Sequence, residues 1–216
     1  MKTHIQLKKP DKSVLENGLE LPLIEQFYTI QGEGYHFGKA AYFIRIGGCD
    51  IGCSWCDTKF SWNFKYHELT DIKTIVKNAI NEKAKTVVVT GGEPSLYNLL
   101  PLCEELHRNS IESFIETSGA YLLPGIWDWV CLSPKKQNPP HPNNFQKANE
   151  LKVIISNQTD FGWAEDNALR VNSECKLFLQ PEWSQYETII AEIVQYVKNN
   201  PKWSISLQAH KFMHIP

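Results

Sequence analysis

The sequence lacks long apolar runs, an excess of basic residues and a glycine-rich dinucleotide fingerprint. No window approaches the roughly 20 apolar residues that a membrane-spanning helix requires, and the polar amino terminus does not resemble a secretion signal. The formal net charge of −2 gives no general attraction for phosphate backbones. These absences predict a cytoplasmic protein that binds neither membranes nor nucleic acid directly.

A disulfide framework is also not expected, although the chain has six cysteines. With 216 residues and 42% hydrophobic content, the chain is long enough to bury a substantial core without crosslinks. Three cysteines crowd into eight residues, at positions Cys49, Cys53 and Cys56. The other three stand alone in apolar surroundings, at Cys103, Cys131 and Cys175. The first group is typical of metal ligands and the second of core packing.

Short β-type runs alternate with segments of helical spacing. The runs are mostly continuously apolar, which is typical of parallel strands buried on both faces; they are 41–48, 86–92, 112–119, 129–135, 151–156, 175–181 and 204–211. Apolar stripes at 72–80 and 189–197 predict helices between them. Repeated strand–helix–strand units predict an α/β fold, a partial open (β/α) barrel of about six parallel strands with outer helices.

One core domain is predicted over 21–216, preceded by an extension over 1–20. The Pro- and Asn-rich segment 139–150 is predicted to be a surface loop within the core domain. In barrels of this kind, chemistry collects at the carboxyl ends of the strands. The polar residues that follow the predicted strands are therefore candidates for a site.

The segment CDIGCSWC (49–56) follows the first of these strands and presents three thiols within one short loop. Thiolates bind zinc, copper(I) or iron–sulfur centres. Structural zinc and cubane clusters usually take four protein ligands, and no fourth cysteine lies nearby. One reading is a cubane with one iron open to a small ligand. The alternative is a zinc knuckle completed by His67 or by a remote cysteine.

The spacing C-x-x-x-C-x-x-C, with Trp55 before the last cysteine, resembles the signature of the radical S-adenosylmethionine enzymes, and TGGEP (90–94) resembles their second motif. That resemblance implies a [4Fe-4S] cluster whose open iron binds S-adenosylmethionine, and whose electron cleaves it to give a 5′-deoxyadenosyl radical. By itself, GGEP is only a strand-to-helix turn with Pro at the first helical position.

Three further stretches, 27–62, ETSGA (116–120) and LQAHKFMHIP (207–216), resemble the 7-carboxy-7-deazaguanine synthases of this superfamily. The resemblance implies a lyase of queuosine and 7-deazapurine biosynthesis. It would contract the ring of 6-carboxy-5,6,7,8-tetrahydropterin to 7-carboxy-7-deazaguanine, with loss of ammonia and assistance from Mg²⁺. It also implies a homodimer and an electron donor such as flavodoxin or ferredoxin.

The same resemblance implies roles for individual residues. The cluster ligands would be Cys49, Cys53 and Cys56, with Thr58 as the Mg²⁺ ligand. S-adenosylmethionine would contact Trp55, Cys56, Asp57, Gly92, Glu93, Ser118, Ser133, Pro134, Lys135 and Gln180. The pterin would contact Ile30, Gln31, Gly32, Arg45, Thr90, His210 and the terminal Pro216.

Ordinary structural roles compete with these assignments. Arg45 would suit the substrate carboxylate because its guanidinium is a planar fork, but it is equally able to pair with Glu25. The pair Asp57-Thr58 is otherwise a helix cap, and Pro216 is otherwise part of a frayed end. Two other functions remain open from the residues alone: an activating enzyme that makes a glycyl radical on a partner protein, and a zinc-stabilised binding protein.

Overall fold

The structure is a computed structural model that describes residues 16–216. Most of the predicted extension 1–20 lies outside the described residues, so the division of the chain at residue 20 stays a prediction. None of the helices in the described part of the chain is long and apolar enough to cross a membrane.

Residues 16–216 form one nine-stranded sheet with the order β3-β1-β2-β4-β5-β6-β7-β8-β9. The strands are β1 Glu20–Ile30, β2 Ala40–Ile46, β3 Glu68–Asp71, β4 Thr86–Gly91, β5 Glu112–Thr117, β6 Trp129–Leu132, β7 Glu150–Ile155, β8 Lys176–Pro181 and β9 Trp203–Ile205. From β2 through β4 to β9 the strands pair in parallel, and the sheet does not close. The predicted open (β/α) barrel is confirmed. The sequence analysis did not identify β1 and β3, which add an antiparallel edge.

Five helices lie between strands in chain order, and a sixth follows the last strand of the described chain. They are α1 Ile72–Asn81, α2 Leu100–Arg108, α3 Pro142–Phe145, α4 Thr159–Ala168, α5 Tyr186–Asn199 and α6 Ala209–Met213. Both predicted stripes are confirmed as helices. In α1, for example, Ile75, Val76 and Ala79 are fully buried, and the Asp71 carboxylate caps the helix by accepting from the backbone N–H of Lys73 and Thr74.

Burial on both faces explains why the central strands are continuously apolar. Val87 and Val89 pack into the cluster beneath α1 and α2, whereas Val88 between them packs on the opposite face against Phe43 and Phe114. Side chains alternate between the two faces of a strand, so both faces must be apolar when both are covered. The isolated cysteines Cys103, Cys131 and Cys175 are buried as predicted.

Two local predictions were wrong. The segment 139–150 is not entirely a surface loop, because it contains α3 and buries Phe145 and Ala148. These two side chains pack in a second core cluster, which also includes Leu151, Leu179 and Ile193. The predicted strand 204–211 ends at Ile205, and the chain then turns into the short helix α6. In 139–150, burial of two apolar side chains outweighs the local turn preference. Helix α6 buries none of its residues.

Candidate active site

One cavity of about 440 Å³ opens at the carboxyl ends of the parallel strands. Every site residue predicted above lines it except Pro134, which is buried nearby without reaching it. Arg45 enters the cavity from the end of β2, Thr90 from β4, and Gln180 from β8. Parallel strands place residues that are distant in sequence along one edge of a sheet, which is why the motifs converge.

Backbone contacts hold the cysteine loop in place. Cys49 N–H donates to the Trp62 carbonyl at 3.1 Å, and Cys56 N–H donates to the Cys53 carbonyl at 3.1 Å. All three thiols are free and line the cavity. The indole N–H of Trp62 points at Cys56 Sγ from 3.4 Å. Hydrogen bonds to ligand sulfurs tune iron–sulfur centres, so Trp62 is a site residue that the sequence motif did not reveal.

Burial makes two of these thiols, Cys49 and Cys53, reluctant to ionise alone. It raises the pKa of Cys49 to about 12 and also raises the pKa of Cys53. Thiolates are the form that binds metals, so a bound centre must supply the positive charge that displaces their protons. No fourth cysteine lines the cavity among the described residues. This donor set fits a cluster that is held at three corners and leaves the fourth free for another ligand.

The Gly91-Gly92 turn lies directly against the cysteine loop. Gly92 N–H donates to the Ile46 carbonyl at 2.8 Å, and Gly91 has a φ of +144°, a conformation that favours glycine. A Cβ on Gly92 would stand 2.2 Å from the Gly48 carbonyl oxygen and 3.0 Å from Cys49 Cβ. The second motif therefore needs glycine so that strand β4 can end against the loop that carries Cys49.

Glu93 is almost completely buried beside this turn, and the protein occupies both of its carboxylate oxygens. Oε1 accepts from Ser95 N–H at 2.9 Å and from the Thr117 hydroxyl, while Oε2 accepts from Ser118 N–H at 2.8 Å. Glu93 thus joins the end of β4 to the end of β5. Oε1 also accepts from the Ser95 hydroxyl at 2.7 Å, so its two lone pairs are already used. Oε2 accepts one of these bonds and retains acceptor capacity for a ligand in the cavity.

Lys135 connects the residues after β6 to the cysteine loop. Its ammonium donates to the Ser133 carbonyl at 2.6 Å and to Ser133 Oγ at 2.7 Å, and it lies 5.6 Å from the centre of the Trp55 ring. Burial lowers the pKa of Lys135, whereas Cys53 and Glu93 oppose this shift. The ammonium therefore places a positive charge beside the thiols.

Arg45 lines the cavity and also forms an ion pair with Glu25, the structural role that was the alternative to binding a ligand. Its Nε donates to Glu25 Oε1 at 2.6 Å, and this pair joins adjacent strands because Glu25 and Arg45 are direct neighbours across β1 and β2. In the described part of the chain, Glu25 is the ion-pair partner of Arg45. The pair engages Nε, so the two terminal nitrogens of the guanidinium remain for an anionic group in the cavity.

The turn after β1 is in contact with the carboxyl-terminal segment. Gly32 accepts from Ala209 N–H at 2.9 Å, and a Cβ on Gly32 would meet the His210 ring at 2.7 Å. Gln31 is buried and donates from Nε2 to Glu116 Oε1 at 2.9 Å. Burial lowers the pKa of His210, while the carboxylate of Glu33 opposes this shift. The predicted substrate residues Gln31, Gly32 and His210 are therefore together.

The last ten residues, 207–216, form a strap over the cavity, and Pro216 lines it. Lys211 bridges the strap to the cysteine loop, since its ammonium lies 2.9 Å from Asp57 Oδ2 and 4.7 Å from the centre of the Trp183 ring. Phe212 packs edge-on against Trp183 with ring centroids 5.3 Å apart. The chain end is thus fixed by specific contacts.

Two structural alternatives do not match the observed contacts. Thr58 precedes the 3-10 turn Lys59–Ser61, but its side chain caps none of that turn's N–H groups. His67 contacts the Phe60 carbonyl and lies against Gly47, so its ring is held by backbone groups. Within residues 16–216, no three His, Cys, Asp or Glu side chains converge as ligands of a single ion. A cubane does not require ligands that converge on a single ion, because each of its thiolates binds a different iron.

Residues 43–130 match the family model described as the Radical SAM superfamily. The chain is 54% identical to the 7-carboxy-7-deazaguanine synthase of Flavobacterium psychrophilum, over 97% of this chain and all of that one. It is 42% identical to the synthase of the same name from Synechocystis, over 90% of this chain and 93% of that one.

A solved structure is similar as well. The crystal structure of QueE from Escherichia coli superposes with a TM-score of 0.79 at 27% identity, and the match covers 94% of this chain and 100% of that chain. Matches over more than nine-tenths of the chain show that the likeness extends well beyond the cysteine motif. The chain therefore belongs to the 7-carboxy-7-deazaguanine synthase family within the radical S-adenosylmethionine superfamily.

Proposed function

We propose that this enzyme converts 6-carboxy-5,6,7,8-tetrahydropterin to 7-carboxy-7-deazaguanine and ammonia, a radical-mediated ring contraction in 7-deazapurine and queuosine biosynthesis. The observation that carries the proposal is a single cavity in which three free thiols and an arginine with two available nitrogens lie together. Family membership supplies the reaction. Nothing observed favours the glycyl-radical activating enzyme or the zinc-stabilised binding protein.

The radical S-adenosylmethionine family implies two cofactors, a [4Fe-4S] cluster and S-adenosylmethionine. When bound, they supply a carbon-centred radical that removes a hydrogen atom from the substrate. Cys49, Cys53 and Cys56 would hold the cluster. The Gly92 backbone and Ser118, Ser133, Lys135 and Gln180 line the cavity where S-adenosylmethionine would lie.

The chain itself orients the substrate and limits its access to water. Arg45 offers its terminal N–H groups to the substrate carboxylate, and Gln31, His210 and Pro216 lie on the strap side. The strap 207–216 covers this side of the cavity, so it shields a reactive intermediate from solvent.

Five further parts of the proposal do not rest on contacts seen within the site. Thr58 would supply a hydroxyl oxygen to Mg²⁺, a hard cation that keeps several waters and takes few protein ligands. The protein would be a cytoplasmic homodimer, and a flavodoxin or ferredoxin would reduce its cluster. The core domain would span 21–216.

An anaerobic assay tests the proposed function. Purified, reduced protein is incubated with S-adenosylmethionine and 6-carboxy-5,6,7,8-tetrahydropterin, and the products are separated by chromatography. Formation of 7-carboxy-7-deazaguanine with one equivalent of ammonia is expected. Protein that contains about four irons per chain and cleaves S-adenosylmethionine without forming the deazapurine would contradict the assignment of substrate.

Replacing Arg45 with lysine is expected to raise the substrate KM by about 10- to 100-fold, because an ammonium cannot replace two parallel guanidinium hydrogen bonds. Steady-state kinetics under anaerobic conditions measure the change. Arg108→Lys, on the exposed face of α2, is the matched control and leaves KM unchanged. If Glu25→Gln raised KM as much as Arg45→Lys, Arg45 would serve only to pair with Glu25.

Extending the carboxyl terminus with a short tag, or deleting Pro216, is expected to lower turnover at least tenfold without loss of iron. The terminal residue lines the cavity, and a misplacement of about 1 Å at a reacting centre can cost about 100-fold in rate. The same tag at the amino terminus is the control. If the protein with the carboxyl-terminal tag, the protein without Pro216 and the amino-terminally tagged control had equal turnover, the strap would have no role in the reaction.

A further inference from the structure

A buried lysine lies at the base of the cavity, among acidic groups, and no motif of the sequence identified it. Lys152, on β7, has a side chain that is only 5% exposed, and it lines the cavity. Its ammonium forms an ion pair with Glu33 Oε2 and lies 3.6 Å from Glu116 Oε2. Glu33 comes from the turn after β1 and Glu116 from the end of β5, so three separate elements meet at this one ammonium.

Each of these carboxylates also contacts a residue on the proposed substrate side. The second oxygen of Glu116 accepts from Gln31 Nε2 at 2.9 Å, and the second oxygen of Glu33 lies 4.0 Å from His210 Nδ1. Lys152 is therefore the shared centre of a chain of contacts that runs from Gln31 to His210 across the base of the cavity.

A third carboxylate, that of Glu150, lies on the same strand as Lys152 but accepts hydrogen bonds from other groups. Glu150 accepts from Tyr35 N–H at 3.2 Å and from the Trp129 indole at 3.1 Å. Burial raises the pKa of Glu150. Burial would also raise the pKa of Glu33, but the Lys152 ammonium, together with His210 and a hydrogen bond from Gln208, keeps that pKa below the ordinary value. The lysine thus holds Glu33, and not Glu150, as its charged partner.

The charges at the base of the cavity favour a ligand that donates hydrogen bonds. Two carboxylates against one ammonium leave an excess of acceptors, and Glu33 and Glu116 both line the cavity. The 2-amino-4-oxopyrimidine ring of a pterin presents adjacent N–H donors along one edge. Such an edge satisfies fixed carboxylate oxygens, whereas a ring with a carbonyl at the same position would set acceptor against acceptor.

We propose that Lys152 is a positioning residue that fixes Glu33 and Glu116 so that they select the aminopyrimidine edge of the substrate. The inference rests on the proposed function for the identity of the ligand. Lys152 does not itself carry out the radical chemistry; it acts through the two carboxylates. Without it, two neighbouring carboxylates would repel each other, and one would take up a proton or turn away.

The test is the variant Lys152→Met, which keeps the length and apolar stem of the side chain without its charge. The KM for 6-carboxy-5,6,7,8-tetrahydropterin is expected to rise at least 30-fold, while iron content and cleavage of S-adenosylmethionine in the absence of pterin stay unchanged. Lys202→Met, which removes the surface pair with Glu165, is the matched control. An unchanged KM in a folded Lys152→Met protein would overturn the proposal.

A second variant separates charge from packing. Adding Glu33→Gln to Lys152→Met removes one of the two repelling charges, and it is expected to recover KM at least fivefold relative to Lys152→Met. If Lys152 only filled space, the double variant would show no such recovery. A KM that stays as high in the double variant as in Lys152→Met would therefore also contradict the proposal.

Selectivity supplies an independent readout. Wild-type protein is expected to prefer the carboxypterin at least 100-fold over its 2-oxo analogue, in which a carbonyl replaces the exocyclic amine, and Glu33→Gln is expected to lower that preference at least tenfold. Should Lys152→Met not fold, this measurement carries the test, and unchanged KM and selectivity in Glu33→Gln would refute the proposal. Wild-type protein that makes no deazapurine would refute the proposed function instead.

Discussion

Serine in place of Cys49, Cys53 or Cys56 is expected to reduce bound iron from roughly four atoms per chain to less than one and to lower turnover at least about 1,000-fold. Each of these cysteines would be the only protein ligand to one corner of the cluster. A hydroxyl is a poor substitute because iron–sulfur centres select soft thiolate ligands. Iron analysis, the absorption spectrum of anaerobically purified protein and the rate of deazapurine formation measure the effect.

Cys175→Ser is the matched control for this series. Cys175 is also a buried free thiol, but it packs in the second core cluster and does not line the cavity. Its replacement is expected to cost stability, about 1 to 3 kcal/mol for a buried polar group, and to leave iron content unchanged. If the control lost iron as the motif cysteines do, iron loss would reflect general unfolding. Iron retained at normal levels in Cys53→Ser would contradict the assignment of the cluster.

The second large effect is expected for Gly92→Ala, which should lower turnover at least about 100-fold. The added methyl group would stand 2.2 Å from the Gly48 carbonyl oxygen, so strand β4 and the cysteine loop would have to move apart. S-adenosylmethionine binding, measured by calorimetry on the iron-loaded protein, should weaken in parallel with turnover.

Gly162→Ala tests whether loss of glycine as such is harmful. Gly162 lies in α4, and no atom stands within 4 Å of a Cβ built there. Alanine is expected to stabilise the fold by about 0.5 to 1 kcal/mol and to leave turnover unchanged. Full activity and full cofactor affinity in Gly92→Ala would show that β4 need not lie against the cysteine loop.

The parts of the site that the sequence predicted are those encoded in short local motifs. Cys49, Cys53 and Cys56 lie in one loop, and Gly91, Gly92 and Glu93 in another, so a few adjacent residues carry each motif. Their resemblance to known motifs, and not the spacing alone, assigned a function to each group. The parallel sheet was also predictable, because strands such as 86–91 carry apolar residues on both faces. The strand order then brings the two loops together without any further information.

The rest depended on contacts between residues that are distant in sequence. Lys152 lies within an apolar strand, where a single lysine gives no indication of whether it points to solvent or to a cavity. Its role depends on Glu33 and Glu116, which lie 119 and 36 positions earlier in the chain. Trp62 shows the same limit, since a tryptophan six residues after Cys56 has no fixed direction until the loop is folded.

The antiparallel edge illustrates a different limit. In strand β1, polar residues such as Glu25, Gln26 and Thr29 interrupt the apolar ones, and the exposure of its side chains varies along its length. Because β1 is covered by β2 on one side and only briefly by β3 on the other, its pattern is neither continuously apolar nor strictly alternating. Strand periodicity is informative only where each face has one uniform environment.

In the proposed site, three thiolates hold the cluster and leave one iron available to S-adenosylmethionine. Electron–nuclear double resonance tests it directly, on reduced wild-type protein mixed with S-adenosylmethionine that carries ¹⁵N in its amino group and ¹⁷O in its carboxylate. Hyperfine couplings from both labels to the cluster spin are expected. A reduced cluster that shows neither coupling, or a protein that binds a single zinc and no iron, would contradict it.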